Sequence, residues 1–181
     1  MNKPIAVFSN LDMLERMAAI FALAARWRYH PRLPVSEPGY LIAMSRPLIL
    51  ASTSRYRKAL LEKLGLPFEC AAPNVDESVQ PGEDAQTLVA RLAHAKARAI
   101  ADQHDQGLII GSDQVCVCDG RILGKPGTVE RAVAQLMAAQ GRSVTFYTGL
   151  CVLDAASGRA EQLIEPFTVH FRQLDEAAIR R

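Results

Sequence analysis

The sequence lacks the patterns that would place it at once in several large protein classes. Its four cysteines form no C-x-x-C pair and no Cys/His spacing typical of a zinc site. No apolar run approaches the roughly 18–20 residues that cross a bilayer, and the glycine-rich G-K-[ST] ending of a P-loop is absent. We therefore predict no membrane span, and we expect the cysteines to be small buried thiols in a reducing cytoplasm.

The chain also has almost no excess of one sign of charge. The 21 Lys and Arg residues exceed the 19 Asp and Glu residues by two, which is too little to indicate binding to nucleic acid or to a membrane surface. Any phosphate-binding function must therefore depend on a local cluster of basic side chains. What is present is a globular composition, with 49% hydrophobic and 22% charged residues in 181, which favours one domain with a sizeable core.

The first 43 residues differ from the rest. A short apolar stretch from Met17 to Ala25 resembles the centre of a signal peptide, but Asp12 and Glu15 lie where a basic region would be required. Proline-rich, irregular sequence follows. We predict that Met44 is the natural start and that residues 1–43 are an irregular N-terminal extension outside the fold.

Regular patterns begin after Met44. Short apolar runs predict buried strands at residues 48–51 and 108–111, and the second continues extended to a turn at Asp119-Gly120. Two long strands are predicted at 144–153 and 161–171, and an extended piece ends at Val75-Asp76-Glu77. Helices are predicted after the caps Ser52–Ser54, Asp84 and Thr128; the second has the apolar stripe Leu88, Leu92, Ala95, Ala99. This order predicts an α/β fold with a mixed twisted sheet flanked by helices.

The first candidate site is the segment of seven residues from Ser52 to Lys58, which directly follows the first strand. A hydroxyl-rich turn opens a helix, whose N-terminal N–H groups favour anions. Three cations follow, and cations at a helix N-terminus oppose its dipole unless an anion binds there. A solvated basic face is the alternative. The candidate ligands of an anion are Ser52, Ser54, Tyr56, Arg57 and Lys58.

Acidic residues supply the second and third candidates. Asp113 and Gln114 follow a strongly apolar strand, and ligands of open α/β sheets bind beyond the carboxyl ends of strands. Asp76 and Glu77 end an extended piece, where only one of two neighbours would face a site. An acid in a turn or a solvated acidic pair is the ordinary alternative.

Two lysines complete the set. Lys96 lies beside the apolar stripe of the second helix, and Lys125 lies in the rigid turn Gly124-Lys125-Pro126-Gly127. Exposed lysines on the protein surface are the usual explanation for either one alone. Acids and cations together at the ends of elements are what a magnesium–polyphosphate site requires.

In order and spacing, these segments resemble the Maf family of nucleoside triphosphate pyrophosphatases. The matching segments are Leu50-Ala51-Ser52-Thr53-Ser54-x-x-Arg57, Val75-Asp76-Glu77, Lys96, Ile110-Gly111-Ser112-Asp113-Gln114, Gly124-Lys125-Pro126 and Thr145-Phe146-Tyr147-Thr148-Gly149. The resemblance implies a fold related to the inosine-triphosphate pyrophosphatases. It also implies hydrolysis of a nucleoside triphosphate to the monophosphate and pyrophosphate with a divalent cation, Mg²⁺ or Mn²⁺.

The resemblance also implies roles for individual residues. Asp113 is expected to be the general base, and Glu77 a carboxylate that positions metal or water, so both are expected metal ligands. Lys96 and Lys125, with Ser52 and Arg57, are expected to contact the phosphates in the ground and transition states.

Base preference divides the family. Gln114 and the following Cys116-Val117-Cys118 resemble the branch that cleaves 7-methyl-GTP, and Gln114 is expected to contact the substrate. That branch typically has Pro-Trp-Arg-Arg where this chain has Arg55-Tyr56-Arg57-Lys58, although Tyr56 still offers an aromatic face to a cationic methylated guanine. The alternatives are a dTTP or UTP pyrophosphatase and a non-catalytic nucleotide-binding regulator of septum formation.

The C-terminal end carries the last expectations. A helix begins near Leu174 with barely one turn left and no capping signal, and members of the family continue further. We therefore expect residues 44–181 to be a Maf-like domain truncated at its C-terminus, and the chain as written to be unstable or inactive. A cytoplasmic location, a possible homodimer and no nucleic-acid partner complete the expectations.

Overall fold

The computed structural model of the chain describes residues 46–180. The predicted N-terminal extension, residues 1–43, lies outside the described residues, as does Arg181. Six strands and four helices alternate along the described part, and we number them in chain order. The strands are β1 (Leu48–Ala51), β2 (Glu69–Ala71), β3 (Leu108–Cys118), β4 (Arg121–Leu123), β5 (Ser143–Asp154) and β6 (Ala160–His170). The helices are α1 (Arg55–Glu62), α2 (Ala85–Ala101), α3 (Val129–Ala139) and α4 (Glu176–Arg180).

One mixed sheet organises these elements. Its strand order is β2-β1-β3-β5-β6, with β4 paired to the C-terminal part of β3. The pairs of β1 with β2 and with β3 are parallel, whereas β5 is antiparallel to both β3 and β6. From β1 the chain leaves to one side through α1 and β2, then returns through α2 to the other side at β3. The carboxyl end of β1 therefore lies beside the middle of β3, at a point where the strand order reverses, the usual place for a ligand in such sheets. The predicted α/β class with a mixed sheet is confirmed.

Local signals placed most elements correctly. Ser54, Asp84 and Thr128 cap α1, α2 and α3 with their side-chain oxygens, and the turn between β3 and β4 lies at Asp119-Gly120, both with positive φ. The predicted extended piece ending at Glu77 was wrong. The short strand β2 lies earlier, and residues 72–84 form an irregular segment outside strands and helices.

The two faces of the sheet are covered by different helices. On one face, Leu61 of α1 packs among the strand side chains Leu48, Leu50, Leu108, Ile110, Leu150 and Val152. On the other face, α2 packs through Ala93, Ala97 and Ile100 against Ile49, Ile109, Cys151 and Leu153. Odd-numbered residues of β3 consequently face α2, since neighbours along a strand point to opposite faces.

The buried stripe of α2 is wider than predicted and rotated from it. Leu88 and Leu92 are buried as expected, but Ala95 and Ala99 are only partly buried. The buried positions also include Val89, Ala93, Lys96, Ala97 and Ile100. Small and charged residues occupy this face because the helix lies very close to the sheet, a tertiary constraint that hydrophobic periodicity does not carry.

Gly111 of β3 makes this close approach possible. A Cβ atom added there would lie 2.7 Å from the backbone nitrogen of Ala97, and it would also collide with the carbonyl oxygen of Ala93. Gly149, on the neighbouring strand, meets the backbone of Val89 in the same way. The glycines therefore let the helix backbone rest directly on the two central strands.

The irregular segment before α2 is attached to that helix by an ion pair. Arg91 Nε lies 2.6 Å from Glu83 Oε1, and Arg91 Nη2 lies 2.8 Å from Glu83 Oε2. The pKa of Glu83 falls from 4.5 to about 2, mainly because Arg91 donates these hydrogen bonds and next because the backbone N–H of Gln80 donates another. Such a paired fork is among the stronger charge-assisted contacts.

The cysteines follow their places in the sheet. Cys118 and Cys151 are buried and Cys116 is partly buried, whereas Cys70 is exposed; none of the four forms a disulfide. The expectation of buried thiols was therefore wrong for Cys70, which is exposed on the short edge strand β2. Burial raises the pKa of the Cys151 thiol to about 11, which keeps it protonated and unreactive.

We expect Gly111→Ala to lower the free energy of unfolding by about 2 kcal/mol or more, because the new methyl group must displace helix backbone and not a flexible side chain. Urea unfolding measures the change. Gly124→Ala is the matched control, since a Cβ there meets nothing within 4 Å and should shift the value by no more than about 0.5 kcal/mol. Equal losses in the two variants would contradict the close approach.

We also expect a pH-dependent effect of Glu83→Gln on stability. Since the folded-state pKa of Glu83 is depressed, its contribution is fully present above about 4.5 and is lost as the pH falls toward about 2. The difference in unfolding free energy between wild type and variant should therefore shrink across that window and stay constant above it. Other acids are shared by the two proteins and cancel in the difference, so a difference that is flat down to the lowest pH would refute the ion pair.

Candidate active site

The turn after β1 forms one wall of the site. Ser52 is buried, and its Oγ accepts a hydrogen bond from the backbone N–H of Ser54 at 3.1 Å and from Arg57 Nη1 at 3.5 Å. Ser54 in turn caps α1 by accepting from the backbone N–H of Arg57. The hydroxyls thus shape the turn and hold Arg57 at the carboxyl end of β1.

Arg57 faces the acidic residues of the site. Burial lowers the pKa of its guanidinium, while the charges of Asp113 and Glu77 oppose that shift. An arginine remains protonated in spite of such burial. The site therefore has a fixed positive charge beside its two carboxylates.

Asp113 and Lys96 form the centre of the site. Lys96 is only 5% exposed and Asp113 9% exposed, and Lys96 Nζ donates to Asp113 Oδ1 at 2.6 Å. Asp113 faces α2 because it shares the odd-numbered face of β3 with Gly111, and the close approach at Gly111 brings Lys96 over it. Asp113 was expected to follow the strand at residues 108–111, but it lies inside β3, which continues to Cys118 in pairing with β5; the extended continuation to the Asp119-Gly120 turn was predicted.

Glu77 joins this pair from the irregular segment. Its Oε1 lies 2.6 Å from Lys96 Nζ, and its Oε2 lies 3.7 Å from Lys125 Nζ. The hydrogen bond from Lys96 is the main cause that lowers the pKa of Glu77, and the charges of Lys96 and Lys125 add to it. Both carboxylates therefore converge on one buried ammonium.

The structure separates the adjacent acids that the sequence left ambiguous. Asp76 accepts hydrogen bonds from the backbone N–H and the hydroxyl of Ser78, at 2.9 Å each, so it closes a local turn. Glu77 alone of the two reaches Lys96. This supports the expectation that one of the pair faces the site, although the backbone there is not a strand.

Three of the predicted substrate contacts lie away from the centre. Tyr56 is 70% exposed, with the guanidinium carbon of Arg55 5.0 Å from its ring centre. Lys58 points along α1 and pairs with Glu62 at 3.9 Å. Gln114 lies on the opposite face of β3 from Asp113, where its Nε2 donates to Thr148 Oγ1 at 2.7 Å. We call Lys96, Asp113 and Glu77 the central cluster. Only a substrate that extends beyond this cluster could contact Tyr56, Lys58 and Gln114.

Lys125 stands at the mouth of the site. Its side chain is 94% exposed, and it lies in the turn between β4 and α3, which includes Gly127 at a positive φ of 73°. Proline and glycine on either side restrict the turn, as the sequence suggested, while the ammonium itself remains in solvent. It is placed to meet a ligand that enters from outside.

Sequence reasoning missed two residues that shape this site. Gly111 lies inside a matching segment, but nothing in the pattern showed that a helix backbone touches it. Arg91 was not considered, although it lies on the same helix as Lys96 and anchors the segment that carries Glu77. Its spacing from Glu83 would have been a usable clue only if that segment were known to fold back on α2.

Between residues 46 and 180, the carboxylates, histidines and cysteines form no cluster of three or more that could hold a metal ion by itself. The same part of the chain contains no helix that is long and apolar enough to cross a membrane.

Comparison with known proteins gives this geometry a family context. The chain is 59% identical over 134 residues to the 7-methyl-GTP pyrophosphatase of Pseudomonas aeruginosa, a match that covers 74% of this chain and 70% of that protein. The protein of the same name from Colwellia psychrerythraea is 54% identical over 134 residues, 74% of this chain and 67% of its own. For the Pseudomonas fluorescens protein of that name, the identity is 56% over 135 residues, 75% and 70% of the two chains.

A family model described as Maf-like protein matches residues 47–181, which include every residue of the central cluster. The resemblance seen in the short sequence segments is thereby confirmed over most of the chain. On these grounds the chain belongs to the Maf family.

Proposed function

We propose that this chain is a nucleotide pyrophosphatase that hydrolyses 7-methyl-GTP to the nucleoside monophosphate and pyrophosphate. The observation that carries the reaction is the convergence of Asp113 and Glu77 on the buried ammonium of Lys96, with Arg57 beside them. The choice of base is supported by the printed names of the relatives from Pseudomonas and Colwellia.

Asp113 acts as the general base in this proposal. Its Oδ1 is held by Lys96, which fixes the orientation of the carboxylate. The attacking water gives its proton to Asp113 while its oxygen bonds to the α-phosphorus. The bond from that phosphorus to the oxygen bridging to the β-phosphorus breaks, and pyrophosphate leaves. General-base catalysis of this kind contributes about 10²- to 10⁴-fold.

The cations stabilise the leaving group. Arg57 and Lys96 are held rigidly by burial and by Ser52, Asp113 and Glu77, so they are in place before charge develops on the phosphates. Lys125, exposed at the mouth of the site, contacts the outer phosphates. The anion-binding turn at Ser52 lies at the N-terminus of α1, which adds backbone N–H groups to the same task.

The donor set fits a divalent cation that binds together with the triphosphate. Mg²⁺ is usually held by one or two carboxylates, with phosphate and water oxygens in its remaining positions. Glu77 and Asp113 provide such a pair, and Mg²⁺ or Mn²⁺ there would neutralise charge on the phosphates. A cytoplasmic location and a homodimer stay predictions.

Tyr56 supports the preference for a methylated guanine. Methylation at N7 gives the base a positive charge, and the exposed Tyr56 ring already has a cation, the Arg55 guanidinium, over its face. Exposed cation–π contacts contribute about 0.5–1 kcal/mol, and more when solvent is excluded. Thymine and uracil lack this charge, which favours 7-methyl-GTP over the alternative substrates dTTP and UTP.

We expect Asp113→Asn to reduce kcat for pyrophosphate release by about 10²-fold or more, with nucleotide binding retained, because the amide keeps the shape of the carboxylate but cannot accept the proton. Stopped assays and calorimetric titration, on the protein as its source organism makes it, give the two quantities. Asp154→Asn is a matched control, since Asp154 is equally buried and is also paired, with Arg46, but lies at the C-terminal end of β5 opposite Leu108, away from Asp113.

Full turnover by Asp113→Asn would refute the proposed base. Tight nucleotide binding by the wild type without any release of pyrophosphate would favour the non-catalytic regulator. The Asp154→Asn variant should retain the kcat of the wild type.

We expect kcat/KM to be higher for 7-methyl-GTP than for GTP, dTTP and UTP. Tyr56→Leu should lower that value about 2- to 5-fold for 7-methyl-GTP, the equivalent of the cation–π contact, and leave it nearly unchanged for dTTP. Tyr56→Phe is the control, because it keeps the ring. A higher value for dTTP or UTP in the wild type would establish the pyrimidine alternative.

A further inference from the structure

The segment that carries Glu77 needs a device to hold it. Residues 72–84 connect β2 to α2 without forming a strand or helix, and Glu77 itself is half exposed. Fixing each backbone residue of such a segment costs about 1–2 kcal/mol of conformational entropy. A single side-chain contact between Glu77 and Lys96 is small against that cost, so other contacts must order the backbone on either side.

Arg91 supplies the main tertiary contact. Besides the fork on Glu83, its Nη2 donates to the backbone carbonyl of Ser78 at 2.9 Å. Ser78 directly follows Glu77 in the chain. One guanidinium thus binds the segment at two points, at Ser78 near its middle and at Glu83 near its end.

Local hydrogen bonds tighten the segment between and before these points. The backbone N–H of Gln80 donates to Glu83 Oε2 at 2.9 Å, and the backbone N–H of Ser78 donates to Asp76 at 2.9 Å. Glu77 therefore lies between an Asp76 turn and a carbonyl held by Arg91. Its backbone has little freedom to move away from Lys96.

The two anchors of Glu77 share one rigid element. Arg91 and Lys96 both lie on α2, five residues or about 7.5 Å of helix rise apart. Arg91 holds the main chain next to Glu77, and Lys96 binds its side chain. The distance between the two anchors is fixed by the helix, which is itself fixed on the sheet by Gly111.

We propose that Arg91 and Glu83 are positioning residues that hold Glu77 at its catalytic distance from Lys96 and Lys125. This inference rests on the proposed pyrophosphatase activity. Within residues 46–180, Arg91 and Glu83 form no hydrogen bond or ion pair with Asp113, Lys96 or Glu77, and they act through the backbone at Ser78.

An ordinary stabilising ion pair is the competing explanation, and the chain offers a matched comparison. Arg98 pairs with Asp102 on the same helix at 2.9 Å. The side chains of that pair are 54% and 58% exposed, whereas those of Arg91 and Glu83 are 27% and 4% exposed. Replacement by lysine in Arg91 and in Arg98 removes an arginine–carboxylate pair from the same helix in each case, so the two variants can be compared.

Arg91→Lys keeps the positive charge but loses the fork that binds Glu83 and Ser78 together. We expect kcat for 7-methyl-GTP to fall about 10- to 100-fold, the usual effect of removing a residue that orients a ligand-binding group, with KM changed much less. Arg98→Lys should leave both values unchanged. A kcat of Arg91→Lys equal to that of the wild type, or an equal loss in Arg98→Lys, would overturn the proposal.

The decisive test is a double-mutant cycle with Glu77→Gln. If Arg91 acts through Glu77, Arg91→Lys has little further effect on kcat once Glu77 has been replaced, so the two changes are strongly non-additive. A merely stabilising role predicts additive losses, which would overturn the proposal. Glu83→Gln provides a second route, with a smaller loss in the same direction, if Arg91→Lys fails to fold.

Hydrogen exchange separates this inference from the proposed function. The backbone amides of Ser78 and Gln80 should exchange faster in Arg91→Lys than in wild type and in Arg98→Lys, whether or not the enzyme turns over. A wild type that releases no pyrophosphate would refute the proposed function but leave this measurement valid. Unchanged exchange at both amides would refute the positioning role on its own.

Discussion

The buried ammonium of Lys96 is the constraint on which the rest of the site depends. A charge that is only 5% exposed is very unfavourable without partners, and Lys96 has two carboxylates at 2.6 Å. These partners come from different parts of the chain, Asp113 from β3 and Glu77 from the irregular segment before α2. Removing either carboxylate would leave the ammonium underpaired. The fold therefore holds these three charged groups together partly because it must satisfy the charge of Lys96.

The approach of α2 to the sheet follows from residue size. Gly111 and Gly149 let the helix backbone rest on the central strands, and Ala93 and Ala97 fill the remaining space on its inner face. The side chain of Lys96, on this face of α2, therefore extends along the sheet to the point where β1 ends. A helix held farther out by larger side chains would leave Lys96 short of Asp113. The packing of the core thus determines the geometry of the site.

The sequence predicted what depends on local chemistry. The apolar run of β3, the caps Ser54 and Asp84, and the class of fold were all predictable, since hydrogen-bonding side chains and hydrophobic periodicity act over a few residues. The extended continuation of β3 was predicted, but the approach of α2 that brings Lys96 over Asp113 depends on contact between Gly111 and the backbone of Ala93 and Ala97. The choice of Glu77 over Asp76 depends on which carboxylate finds a partner across an irregular segment. Neither is a local property, so periodicity and capping could not determine it.

The balance of charge within the site supports the proposed role of a divalent cation. Two carboxylates, Asp113 and Glu77, face Lys96, Arg57 and the exposed Lys125, so the cluster carries a surplus of about one positive charge. A nucleoside triphosphate brings several negative charges, which this surplus cannot offset. A further fixed cation buried beside Lys96 would be repelled strongly by it at low dielectric. A cation that enters with the substrate adds positive charge only when the phosphates are there to balance it, which lets the folded protein remain stable without the nucleotide.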